Sequence, residues 1–139
     1  MPRPLAFDRK KRMVAKGDFD RAFRQGSRAR GSIVLVVARA NGLAHSRLGL
    51  SIGKSIWKSA VKRNRVRRIF RESFRLSYAE LPVGFDLVLI AAAPKLEPKL
   101  MDTCLELVGM AKKAARRAQE KSAAETSAAK TSTPEGENA

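Results

Sequence analysis

Ser59-Ala-Val-Lys-Arg-Asn-Arg-Val-Arg-Arg-Ile-Phe-Arg-Glu-Ser-Phe-Arg75 decides how this chain is read. At about 100° per residue, Val66, Ile69, Phe70 and Phe74 gather on one side of a helix. Asn64, Arg68, Arg71 and Arg75 gather on the other, with Arg65 and Arg67 on its flanks. The apolar side anchors the helix to other structure, and the basic side is left to solvent or to a partner. Like charges four residues apart repel, Arg67 with Arg71 and Arg71 with Arg75. Glu72 is spaced to neutralise Arg68, four residues before it, and no more. An ordinary solvated face mixes Glu with Lys. A rigid face that keeps this many cations unneutralised fits an anionic partner, and Arg in place of Lys favours bidentate contacts to phosphates and base edges.

The rest of the chain agrees with that face. Of 139 residues, 29 are Lys or Arg and 13 are Asp or Glu, a formal net charge of +16. From Met1 to Arg75 there are 21 basic and 4 acidic residues, +17; from Leu76 to Ala139 there are 8 and 9, −1. Solubilising charge would be spread evenly, so the asymmetry reads as an electrostatic footprint for phosphates. A hydrophobic share of 44% supports one small core, while 6% aromatics argues against a broad stacking platform. One Cys and one His exclude a disulfide framework and leave too few soft ligands for zinc chemistry. The apolar runs at 33–38 and 87–93 are far shorter than the roughly 20 residues of a membrane span. No signal-type run follows the start, so a cytoplasmic protein without membrane contact is expected.

Outward from the basic helix, Asp86-Leu-Val-Leu-Ile-Ala91 follows as a strand introduced by Gly84. Before the helix, Ser32-Ile-Val-Leu-Val-Val-Ala38 is β-branched and nearly continuous, a strand covered on both faces. Arg47-Leu-Gly-Leu-Ser-Ile52 alternates, with Leu48, Leu50 and Ile52 on one face. Asn41-Gly42 lies between these two strands and predicts a hairpin with a longish loop. Nearer the start, Asp18 reads as an N-cap and Gly26 as a stop for a short helix, with Phe19, Ala22 and Phe23 on one face. Near the other end, Leu100, Cys104, Leu107, Val108 and Ala111 share the apolar face of a last helix. Residues 1–12 read as an irregular basic arm, 13–118 as one α+β domain, and 119–139 as a disordered Ala/Ser/Thr/Glu-rich tail. Strand-like segments flank the basic helix on both sides, which argues against a helix-turn-helix reader of DNA. A sheet with an exposed basic helix is closer to RNA-binding modules.

The stretch from Ala60 to Arg75 resembles the signature of the protein subunit of bacterial ribonuclease P: Ala-Val, then Arg-Asn-Arg, basic pairs, Arg-Glu and a closing Arg. Asp18-Phe19 with Phe23 and Gly26 resembles that family's first helix. Arg47-Leu-Gly-Leu-Ser51 and Gly84-Phe-Asp-Leu-Val88 resemble the strands on either side of the signature. The resemblance runs from about residue 13 to 110. It implies a two-layer α-β sandwich, a mixed sheet in the order α-β-β-β-α-β-α, with the basic helix in a left-handed crossover between parallel strands. A short edge strand near 27–30 would complete the count.

The resemblance further implies an RNA-binding subunit of a tRNA-processing endonuclease, a ribonucleoprotein hydrolase in which the RNA, with Mg2+, does the chemistry. The partners implied are the catalytic RNA, in a 1:1 complex, and the 5′ leader of precursor tRNA. Lys62, Arg63, Asn64, Arg65, Arg67, Arg68, Arg71 and Arg75 would contact the catalytic RNA. Phe19, Phe23, Arg12 and Lys54 would belong to a leader cleft between the first helix and the sheet. Phe19 and Phe23 equally fit a core pair. The stretch from Lys54 to Ser59 departs from the family pattern of a Lys pair and a Gly, and Trp57 within it reads as packing. No aromatic stands between Ile33 and Val37, where many members place one toward the cleft.

A protein-borne nuclease is disfavoured by the residues themselves. Two-metal cleavage needs clustered carboxylates, and the first half holds only Asp8, Asp18, Asp20 and Glu72. His45 has no evident general acid–base partner, and Cys104 lies on an apolar helix face. A ribosomal or chaperone-type RNA-binding protein shares the electrostatics and is the alternative.

Overall fold

The computed structural model describes residues 11–13 and 16–132. Helix α1 (Lys16–Gln25) leads through β1 (Ser27–Arg30) to β2 (Val34–Ala40) and β3 (Arg47–Ser51). Helix α2 (Ala60–Ser77) runs into a 3-10 turn (Tyr78–Glu80), followed by β4 (Phe85–Ala91) and α3 (Leu100–Ser132). The expected α-β-β-β-α-β-α order is present, with β1 as the short strand near 27–30.

Helix α2 begins where a side-chain oxygen is available to cap it: Ser59 Oγ accepts from the Lys62 N–H at 3.3 Å. Val66, Phe70 and Phe74, one turn apart, are buried. Ser73 on the same side is buried too, and its hydroxyl donates back to the Ile69 carbonyl at 2.7 Å.

The strands lie in the order β1-β2-β4-β3, with β4 antiparallel to β2 and parallel to β3. Alternation divides their side chains. Val34, Val36, Leu87 and Leu89 meet Phe70 and Phe74 of α2 and Leu107 and Ala111 of α3 on one face. Val37 and Val88 meet Ala22, Phe19 and Phe23 of α1 on the other. Thus α2 and α3 form a full layer, and α1 covers part of the opposite face.

The expected β2–β3 hairpin does not form, because β4 lies between them. Gly42 does take the left-handed conformation (φ 71°) that a turn there needs. The reversal is nonetheless held by the segment leading into β4: the Asn41 N–H donates to the Gly84 carbonyl at 2.9 Å, and Ser46 Oγ donates to the Pro82 carbonyl at 2.5 Å. Turn chemistry sets a reversal but not the pairing partner. The most apolar strand takes the interior position because only there are both its faces covered.

Two end effects also differ from expectation. Helix α1 begins by Lys16, so Asp18 stands in its first turn rather than at the N-cap, and its carboxylate pairs with Arg21 and Arg47. Gly26 does end that helix, its N–H donating to the Ala22 carbonyl at 2.8 Å. Helix α3 continues to Ser132, so residues 119–132 are helical where a disordered tail was expected. Lack of large apolar residues forbids a core, but alanine has the highest intrinsic helix propensity, and a helix already nucleated by packing propagates through it. Of the irregular arm, residues 1–10 lie outside the described residues, as do 133–139 of the tail. Arg12 forms a parallel bridge to Leu48, and the Met13 N–H donates to the Leu48 carbonyl at 2.8 Å, so the arm's end lies along the free edge of β3.

Glu106 of α3 fastens the start of β2. Its carboxylate accepts from the backbone N–H groups of Ser32 (3.1 Å), Ile33 (2.6 Å) and Val34 (2.7 Å), and from Ser32 Oγ (2.9 Å). Burial opposes ionisation, but these donors outweigh it and hold the carboxyl below its ordinary 4.5. Because the folded value is lowered, this contribution is present above pH 4.5 and is lost as pH falls through the folded value. Glu106→Gln is therefore expected to cost about 2 kcal/mol at neutral pH. Urea melts of the two proteins should converge as pH falls below the lowered value of the Glu106 carboxyl.

Candidate nucleic-acid interface

The six arginines of α2 fall into three groups by what they touch. Arg63 and Arg67 serve as latches. Arg63 Nη1 donates to the carbonyls of Trp57 (2.9 Å) and Lys58 (2.8 Å), and Arg67 donates to the Ile52 carbonyl (3.0 Å) and to Asn64 Oδ1 (2.9 Å). Together they hold the 52–58 connection against the helix. Arg75 pairs with Glu72 at 2.6 Å, so the expected Glu72–Arg68 pair does not form. At three residues' separation the Arg75 guanidinium presents both Nε and Nη2 to the carboxylate. That hydrogen bonding outweighs burial and holds the Glu72 carboxyl below its ordinary range, with the charges of Arg71 and Arg68 adding to it.

Arg65, Arg68 and Arg71 make up the third group. All three are exposed, with no protein acceptor among the described residues, and Asn64 stands exposed beside them. Val61, Asn64, Arg65 and Arg68 line a shallow depression at the start of this face. Lys62, half-buried, places its ammonium 4.3 Å from the centre of the Trp57 ring. Trp57 itself packs as expected, its Nε1 donating to the Leu96 carbonyl at 2.7 Å.

The second region is the sheet face opposite α2 and α3. A Cβ at Gly49 would lie 2.7 Å from Phe19 Cε1 and 3.0 Å from Met13 Sδ, so only glycine lets the α1 ring come down onto β3. Phe19 and Phe23 are half-buried against Val37, Val88 and Ile90: each ring packs on the core and keeps an open portion. Beyond the strip covered by α1, cross-strand register sets Arg30, Leu35, Ile90 and Ser51 in a row across all four strands. Leu35, Ile90 and Ser51 are half-buried and Arg30 is exposed. The result is an open groove with an aliphatic floor and phenylalanine at its wall. Leu35 occupies the floor position on the first long strand, the one without an aromatic. Arg12 lies beside Leu48 on the β3 edge, and Lys54 is exposed in the turn after β3.

A polar network missed by pattern reading ties α1 to this face. Asp86 is fully buried and accepts from Arg47 Nε and Nη2, each at 2.7 Å, and from Asn41 Nδ2 at 3.1 Å. Arg47 Nη1 reaches on to Asp18 at 3.4 Å, and Asp18 pairs with Arg21. The signal was an aspartate opening an otherwise apolar strand. Hydrogen bonding from Arg21 outweighs burial and holds the Asp18 carboxyl below its ordinary range, with Arg47 adding its charge.

Among the described residues no three His, Cys, Asp or Glu side chains gather as metal ligands. Among them, too, no helix is long and apolar enough to cross a membrane.

The family model described as Ribonuclease P matches residues 7–119. The ribonuclease P protein component of Ectopseudomonas mendocina is 49% identical over 86 residues, 61% of this chain and 63% of that protein. The same component of Pseudomonas aeruginosa is 48% identical over the same span. The match thus covers a little under two thirds of these curated relatives' length. Among solved structures, the RNase P protein of Thermotoga maritima superposes with a TM-score of 0.66 at 29% identity, over 73% of this chain and 96% of that one. The Staphylococcus aureus RNase P protein gives 0.65 at 27%, over 75% and 94%.

Proposed function

Because the chain belongs to the ribonuclease P protein family, we propose that it is the RNA-binding subunit of a ribonuclease P ribonucleoprotein in the cytoplasm. It assists a catalytic RNA, as one protein per RNA, in removing the 5′ leader from precursor tRNA. The observation that carries this reading is the open face of α2. Arg65, Arg68 and Arg71 stand exposed on a helix whose other side is buried, and no carboxylate among the described residues pairs with them. Fixed guanidinium groups of this kind suit the phosphates of a folded RNA.

The groove beside α1 suits the single-stranded leader. An unpaired base stacked on an aromatic ring gains about 1–3 kcal/mol, and the open portions of Phe19 and Phe23 offer that contact, with Arg28 donating to the Phe23 carbonyl at 3.4 Å. Leu35 and Ile90 make the floor aliphatic, so base discrimination by stacking is concentrated at the two rings. The protein's part in the reaction is to bind and to supply charge. Its net +16 offsets phosphate repulsion that metal ions would otherwise screen, while Mg2+ bound to the RNA supplies the hydrolytic chemistry.

The test is cleavage of precursor tRNA by the cognate RNA across a Mg2+ titration, with and without the protein. The midpoint is expected to move to lower Mg2+, and binding is expected to favour precursor tRNA over the leaderless product. An unchanged midpoint together with equal affinity for the two RNAs would overturn the proposal.

A further inference from the structure

Helix α3 carries a second basic surface that the near-neutral charge of the chain's second half conceals. Lys112, Lys113, Arg116, Arg117 and Lys121 project from its outward side, and Glu120 is the one acid among them. Between Glu106 and Glu120 the helix has no other carboxylate, and Glu106 is engaged by the β2 backbone. Three pairs of like charge stand four residues apart: Lys112 with Arg116, Lys113 with Arg117, and Arg117 with Lys121. The helix dipole favours cations only in the last turn, whereas α3 runs about three turns past Lys121 to Ser132. Local helix energetics therefore do not account for the cluster.

Tertiary contacts join this face to the edge of the sheet. Arg117 Nη1 donates to the Arg28 carbonyl at 2.6 Å, and Lys121 Nζ donates to the Gln25 carbonyl at 3.2 Å. These two side chains lay α3 across β1 through backbone carbonyls alone, the Arg28 side chain itself reaching the Phe23 carbonyl on the opposite face of the sheet. Lys112, Lys113 and Arg116 are exposed and form no ion pair among the described residues. Helix α3 packs over β1 and β2, whereas α2 packs against β3 and α3. The surface therefore lies toward the opposite edge of the sheet from α2.

We propose that Lys112, Lys113 and Arg116 of α3 form a separate contact for the sugar–phosphate backbone of RNA. The proposal rests on the reading of this chain as an RNA-binding subunit. The span from Lys112 to Arg116 is roughly 6 Å at 1.5 Å per residue, enough to meet neighbouring phosphates of one strand. Neither α3 nor β1 contains Phe, Tyr or Trp, so the surface has no ring on which to stack a base. It reads backbone and shape, not sequence. With α2 on one RNA segment and α3 on another, the protein braces two segments against each other.

The test uses the full chain carrying Lys112→Ala, Lys113→Ala and Arg116→Ala together, titrated in separate arms with the cognate catalytic RNA and with precursor tRNA over a range of salt. In at least one arm the slope of log K against log salt is expected to become shallower by about two, at roughly 0.7–0.9 for each phosphate no longer neutralised. Affinity at low salt should fall on the order of tenfold in that arm, which identifies the RNA held there. Unchanged slopes in both arms would overturn the proposal, as would weaker binding with an unaltered slope. Arg68→Ala with Arg71→Ala is measured in parallel. If that variant loses affinity while the α3 variant does not, the proposed function stands and the α3 contact alone is rejected. Thermal melts check the fold, and Arg116→Gln by itself provides the same slope measurement should the triple variant melt early.

Discussion

Arg68→Ala combined with Arg71→Ala is expected to weaken assembly with the catalytic RNA on the order of a hundredfold, as two charge-assisted hydrogen bonds are each worth about 1.5–3 kcal/mol. The salt dependence should become shallower, as about two fewer phosphates are neutralised. Melting temperature should hold or rise slightly. Both side chains are exposed and touch no part of the core, and removing Arg71 relieves its repulsion with Arg67 and Arg75. Arg63→Ala is the contrasting variant. Its guanidinium holds the carbonyls of Trp57 and Lys58, so its loss should lower stability as well as binding. One variant defective only in binding, and another defective in folding too, would separate the open cations from the latches. If Arg68 and Arg71 could be removed without loss of affinity, the α2 face would not be the RNA contact.

Asp86→Ala should be the most destabilising single polar substitution in the domain, at about 3 kcal/mol. Breaking a buried ion pair from one side costs roughly 3–5 kcal/mol because the remaining charge is left without its partner. Arg47 keeps a fifth of its side chain exposed, which places the expectation at the lower end. Asn41 loses an acceptor in the same step. Urea unfolding provides the measurement. The double variant Arg47→Met with Asp86→Ala should recover part of the loss, since an apolar pair leaves no stranded charge. A loss below about 1 kcal/mol for Asp86→Ala would mean that water or a rearranged Arg47 replaces the pair. Because Arg47 also contacts Asp18, loosening it should let α1 shift over the sheet and alter the width of the groove beside α1.

Much of this arrangement was legible in residue order. The two sides of α2 follow from 3.6-residue periodicity, and Val66, Phe70 and Phe74 are buried as spaced. The strands were visible as apolar runs, and Gly26 ended α1. What could not be read was which side chain answers which. Glu72 has basic neighbours on both sides, and whether it pairs with Arg68 or Arg75 depends on rotamers that sequence spacing leaves open. Phe19 reads as core or as groove wall, and it is partly both because Gly49 lets it descend onto β3. Glu106 looks like one more solvated acid until the β1–β2 turn is brought beneath it from a distant part of the chain.

Residue order alone determined the local facts: where the helices and strands lie, which side of each is apolar, and that the exposed side of α2 is cationic. These depend on backbone geometry and on the hydrophobic effect, which act between near neighbours or on every residue alike. Tertiary structure decided the insertion of β4 between β2 and β3, the Arg47–Asp86 pair, and the joining of α3's cations to the β1 edge. Each of those is a choice among distant partners of similar local fitness, settled only when burial of the whole sheet selects one pairing.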